Sequence, residues 1–186
     1  MRETVRAFDA RVDDLFDRLR GHRVADRVFY SASALGDFGL IWLVLGLWRA
    51  LGGDPRDERA AVRAIVATGI ESVVVNAGLK SLFGRGRPLP VAEHPLPFRQ
   101  PLTSSFPSGH ATAAFCAAVL LSDGSRLGPA YYGAATVVSA SRIHVKIHHA
   151  SDVVAGVVIG VGLGHLARRL APLDGRPKNS KRRMER

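Results

Sequence analysis

Three short stretches of this 186-residue chain carry residues that could do chemistry: "KSLFGRGRP" (80–88), "PSGH" (107–110) and "SRIHVKIHHASD" (141–152). Lys80, Arg87 and Arg142 supply cations, two of which can fork onto the oxygens of a phosphate. Ser108 and Gly109 open an apolar run, where free helix N–H groups favour an anion and a glycine lets the backbone approach it. His110, His144, His148 and His149 are candidate nucleophiles or proton donors. Asp152 follows His148 by four residues, a spacing at which a carboxylate on a helix can fix an imidazole tautomer.

These polar groups interrupt a chain that is otherwise a series of apolar runs. Phe29–Trp48 holds one formal charge, Asp37, and twenty helical residues reach about 30 Å, the thickness of a bilayer core. Ala60–Leu79 is a second run, broken by Arg63, Glu71 and Asn76. Further runs cover about 108–121, 127–140 and 153–171, the third and fourth being short for a bilayer. Gly156, Gly160 and Gly164 recur every four residues, a spacing that lets membrane helices come close. Ahead of these runs, Val5, Phe8, Val12, Leu15 and Leu19 make residues 3–20 an amphipathic helix. The expected fold is all-α: a membrane-embedded bundle of about five to six helices with an N-terminal amphipathic helix. Its expected parts are the helix in 1–27, a catalytic domain in 28–171 and a basic tail in 172–186. The competing reading, a soluble all-α protein, must bury several helices that lack a polar face.

The order of the runs places the chemistry. If the second run ends at one membrane face, the third begins there, the fourth returns and the fifth leaves. All three stretches then share one face and form one anion pocket.

Totals exclude other classes. Hydrophobic residues make up 47% of the chain, with net charge +10 and mean hydropathy only +0.08. The basic tail lacks interleaved aromatics, which argues against a nucleic-acid partner and for anionic lipid. The single cysteine, Cys116, excludes an intramolecular disulfide and a cysteine-rich zinc site. The N-terminal stretch has no apolar core of the kind a cleaved signal peptide needs.

The three stretches resemble the type 2 phosphatidic acid phosphatase family. Its pattern is Lys-x6-Arg-Pro, then Pro-Ser-Gly-His, then Ser-Arg-x5-His-x3-Asp. This chain has Lys80 and Arg87-Pro88, then Pro107-Ser108-Gly109-His110, then Ser141-Arg142, His148 and Asp152. The resemblance covers about 60–170. It implies that Lys80, Arg87, Arg142, Ser108 and the Gly109 backbone hold the phosphate. His148 attacks phosphorus, Asp152 orients His148, and His110 protonates the departing alkoxide. It also implies a lipid phosphate substrate, such as a polyprenyl phosphate or diphosphate, phosphatidate or phosphatidylglycerol phosphate, and neither metal nor cofactor. Two alternatives remain: a non-catalytic lipid-phosphate binder, and a vanadate-dependent haloperoxidase, whose family shares the blocks but is soluble and larger. Fuller membrane members have six spans, against five plus the amphipathic segment here.

Arg85, His144, Lys146 and His149 flank the matched positions without belonging to the pattern. His94 and Arg99 lie in the proline-rich loop, where they could touch a head group. Glu71 and Asn76 read as helix-packing contacts, and His165 as a packed or interfacial residue. The basic tail places the C-terminus in the cytoplasm, so the site is expected to face outward across the cell membrane, which favours polyprenyl diphosphate recycling; a cytoplasmic site would favour a phosphorylated polyprenyl sugar. With five spans the seven arginines of 1–27 would also lie outside, unless a re-entrant N-terminal helix or a sixth span returns them.

Overall fold

A computed structural model describes residues 2–89 and 103–173. His94, Arg99 and nearly all of the basic tail lie outside the described residues. The described residues form seven α-helices and no strand: α1 (Arg2–Asp17), α2 (Arg23–Gly36), α3 (Leu40–Ala50), α4 (Pro55–Val73), α5 (Gly109–Ser122), α6 (Gly128–His144) and α7 (Ala150–Leu170). Three helical stretches among the described residues are long and apolar enough to cross a membrane: Arg23–Ala50, Pro55–Leu82 and Ala150–Leu170. Their exposed side chains include Leu43, Leu47, Val66, Ile70, Val158 and Leu166, an apolar surface suited to lipid.

Helix α5 is the centre of the bundle. Ala111, Ala114 and every residue from Cys116 to Leu121 are fully buried, enclosed by α4, α6 and α7. This explains its shortness: 14 residues reach only about 21 Å, but polar groups of neighbouring elements meet both of its ends inside the protein.

The glycine spacing of α7 is realised against α5. A Cβ on Gly156 would lie 2.6 Å from the Ser108 carbonyl oxygen, and one on Gly164 would lie 2.7 Å from Val119 Cβ. One on Gly160 would collide with the Thr112 carbonyl oxygen. Without these side chains the two backbones touch, which sets the start of α5 beside the start of α7, where Ser108 N donates to Asp152 O at 3.1 Å.

The first span departs from a single continuous helix. It breaks at a 3₁₀ turn, Asp37–Gly39, where Phe38 (φ 55°) and Gly39 (φ 70°) take left-handed conformations. The second span widens at its end into a π-helical turn, Val74–Gly78, followed by a 3₁₀ turn, Leu79–Leu82. Such turns re-aim the residues that follow them and are frequent at functional sites. Here they carry Asn76 and Lys80.

Helix α1 lies across the turn between α6 and α7. Val12 and Phe16 pack on Ile143, Ala150 and Val153, while Phe8 and Leu15 remain exposed along its side and Leu19 in the turn that follows. Arg20 caps the end of α6 by donating to the carbonyls of Ile143 (2.9 Å) and His144 (2.8 Å).

Candidate active site

The end of α4, the start of α5 and the α6–α7 turn meet at one end of the bundle. Lys80 is buried, and its Nζ lies 3.4 Å from where a Cβ on Gly109 would be. Asn76 Oδ1 stands 3.2 Å from the same point, so Asn76 borders the site rather than only packing helices. Arg142, in the last turn of α6, is 2% exposed. Its Nη1 donates to Ser33 Oγ, and its Nε has no acceptor among the described residues. Two cations therefore converge on the Gly109 end of α5 with hydrogen-bonding capacity in reserve.

Arg87 is engaged with main chain. It donates to Ile147 O (3.0 Å) from Nη1 and to Thr103 O from Nη2 (3.0 Å) and Nε (3.2 Å). It thereby ties the loop before α5 to the α6–α7 turn. Ser108 is fully buried and caps α5, its Oγ accepting from Ala111 N at 3.5 Å.

His148 is 2% exposed and sits just before α7. Its Nδ1 is 2.7 Å from the carbonyl oxygen of Ser105, which can only accept. The proton is thus fixed on Nδ1, and Nε2 keeps its lone pair. Burial pushes the pKa down to about 3; Asp152 pulls the other way, and Arg142 and Arg87 add to the fall.

Asp152 is 3.8 Å from His148 Nδ1, beyond hydrogen-bond reach. Its oxygens serve elsewhere. Oδ2 accepts from His149 N (2.9 Å) and lies 3.3 Å from His149 Nδ1, while Oδ1 accepts from Arg85 Nη1 (2.6 Å). Arg85 Nη2 continues to Asp9 of α1 at 2.6 Å, and Asp9 also accepts from Ser151 N (2.8 Å) and Ser151 Oγ (2.9 Å). A carboxylate–guanidinium–carboxylate chain therefore links the amphipathic helix to the start of α7.

His110 Nε2 is 2.8 Å from Asp37 Oδ1, at the break in the first span. Of the flanking residues, His144 is buried, pairs with Asp26 (2.8 Å) and packs against Phe29. Lys146 reaches Asp13 at 3.0 Å. His165 lies in the last third of α7, far along the helix from this end. Glu71 is buried with neither carboxylate oxygen hydrogen-bonded among the described residues. No group of three or more His, Cys, Asp or Glu suited to a metal occurs among the described residues.

Sequence reasoning did not single out Asp37, Asp9 or Ser105 for the site. Asp37 did carry a signal, as the lone charge of its run. Asp9 is one of six acids in a segment with seven arginines, and Ser105 acts through its main chain.

Residues 60–176 match the PAP2 superfamily. The chain belongs to that family. The PAP2 match takes in all three polar blocks. The chain is 32% identical over 162 residues to decaprenylphosphoryl-5-phosphoribose phosphatase of Mycobacterium tuberculosis, covering 82% of this chain and 84% of that one. It is 39% identical over 106 residues to lipid A 1-phosphatase of Porphyromonas gingivalis, covering 54% of this chain and 21% of that one. The PAP2 fold is also seen in a transmembrane phosphatidylglycerolphosphate phosphatase from Bacillus subtilis, with TM-score 0.68 at 21% identity over 90% of this chain and 86% of that one. LpxE of Aquifex aeolicus gives TM-score 0.68 at 24% identity over 86% and 94%. The all-helical bundle is thus that of the PAP2 membrane phosphatases, and the protein is an integral membrane protein.

Proposed function

We propose that this PAP2 protein hydrolyses a membrane lipid phosphate through a phosphohistidine, without a metal. The observation that carries the reading is the pairing of His148 Nδ1 with the Ser105 carbonyl, which leaves Nε2 nucleophilic in the field of Arg142 and Arg87. In the first step the Nε2 lone pair forms a bond to phosphorus while the P–O bond to the lipid alkoxide breaks. His110 gives its proton to that oxygen. Water then attacks phosphorus, the N–P bond breaks, and the proton lost by water returns to His110. Lys80, Arg142 and the N–H groups at Gly109 meet the charge on the equatorial oxygens, with Arg87 and Ser108 shaping the cradle. Preorganised cations thereby supply the stabilisation that a metal ion would otherwise give.

For the substrate we place a phosphorylated polyprenyl sugar first, because the mycobacterial relative matches over most of both chains. The eight basic residues of 168–186 favour the cytoplasm for the C-terminal end and hence an outward-facing site, whereas the seven arginines of 1–27, packed at the site's end of the bundle, favour an inward one, so the mycobacterial match and not sidedness carries the choice of substrate. The test is phosphate release by detergent-purified protein in EDTA across phosphorylated polyprenyl sugars, polyprenyl phosphates, phosphatidyl phosphates and lipid A phosphates, with His148→Ala as control. Release from the polyprenyl class and none from the variant is expected. Equal release from His148→Ala, or loss in EDTA restored by magnesium, would overturn the mechanism.

A further inference from the structure

The break in the first span places a charge inside an otherwise apolar segment. An ionisable group there is costly and is retained where it has a task. The backbone around it is also unusual. Phe38 is non-glycine at positive φ and 97% exposed, so its own side chain gains no packing from the turn. Strained backbone persists where its surroundings impose it, and it gathers at functional positions. What this turn delivers is Asp37, whose carboxylate meets His110 Nε2 at 2.8 Å and stands 4.0 Å from Arg142 Nη1. Gly36 assists: a Cβ there would lie 3.0 Å from His110 Cδ2, so only a bare backbone lets α2 press against the imidazole.

We propose that Asp37 is a positioning residue for the proton donor. Its carboxylate accepts from Nε2–H of His110, which turns Nδ1–H toward the leaving oxygen. It also offsets the charge of an imidazolium placed among Arg142 and Lys80. During the reaction the Nδ1 proton moves to the alkoxide oxygen as the P–O bond breaks, and Asp37 stays ionised throughout. The inference rests on the reading of His110 as the donor.

A positioned donor matters when the leaving group is a poor one. An alkyl lipid phosphate needs its oxygen protonated, whereas 4-nitrophenyl phosphate releases a stable phenolate without help. Asp37→Asn is expected to lower kcat/KM for the lipid phosphate by about 10²-fold, within the range of acid catalysis, and to leave 4-nitrophenyl phosphate within about threefold. Asp37→Glu should recover part of the loss, with Asp37→Ser read in parallel and folding checked by melting in detergent. Equal loss on both substrates would mean a merely structural role and would sink the proposal, as would no loss on either. His110→Ala separates the two readings. If it discriminates between the substrates and Asp37→Asn does not, Asp37 is not the positioning residue and the donor stands. If it does not discriminate, the donor assignment falls and this inference falls with it.

Discussion

The imidazole of His148 is held at Nδ1 by the carbonyl oxygen of Ser105, 2.7 Å away, while Asp152 stands at 3.8 Å. A carbonyl fixes the tautomer as well as a carboxylate does, but it supplies no negative charge to an imidazolium. The oxygens of Asp152 are bonded instead to Arg85 and His149, in the chain that anchors the start of α7. Asp152→Asn should lower kcat by about 10²-fold, less than the roughly 10⁴-fold seen where a triad carboxylate bonds its histidine directly. Phosphate-release kinetics check this. A loss as deep as that of His148→Ala would mean that Asp152 closes on the imidazole during turnover.

The Asp9–Arg85–Asp152 chain makes α1 part of the site's support. Asp9→Ala and Arg85→Ala should each reduce turnover by about tenfold. The double variant should be little worse than either alone, because both remove one connection. Multiplying losses in a double-mutant cycle would show that the two residues act separately.

The contact between α7 and α5 predicts contrasting effects of two neighbouring glycines. Gly160→Ala drives a methyl into the Thr112 carbonyl and should destabilise by about 1–3 kcal/mol. Gly162 has no neighbour within 4 Å of a Cβ, so Gly162→Ala should be neutral or stabilise by up to about 1 kcal/mol through helix propensity. Melting in detergent compares them, and equal destabilisation would refute the close packing.

His148 also predicts acid lability. Its pKa falls to about 3 in the fold, against about 6.5 in an unfolded chain. Between those values the unfolded state binds more protons, so stability rises with pH across this window and is lost as pH falls from about 6.5 toward about 3. His148→Asn removes the group and should flatten that part of the melting temperature against pH. An unchanged slope would mean that the imidazole is not held neutral.

The residues that were legible in the sequence are those whose meaning lies in local order. Gly156, Gly160 and Gly164 announced a close helix contact by their spacing, and the succession of apolar runs placed Lys80, His110 and His148 on one face. What escaped depends on distance along the chain. Asp37 meets His110 across 73 residues and Asp9 meets Ser151 across 142, and neither pairing leaves a periodic trace. Ser105 contributes a carbonyl that any residue could offer. Arg85 lies beside the pattern in sequence, but its two carboxylate partners, Asp9 and Asp152, lie far from it on either side along the chain.

At the end of the bundle away from the site, Arg63 and Arg168 converge on Asp123 at 2.7 Å each, while Arg49 donates to the carbonyls of Leu121 and Asp123. Arg63 also reaches the Ala171 carbonyl at 2.9 Å. Helices α3, α4, α5 and α7 are thus riveted together at that end, as the blades of a fan are at their pivot. The catalytic end is joined to α1 by a few ion pairs and a small apolar patch. The bundle is therefore braced by charge at the end opposite the candidate site, while the site's own end depends on a helix that the three polar blocks do not include.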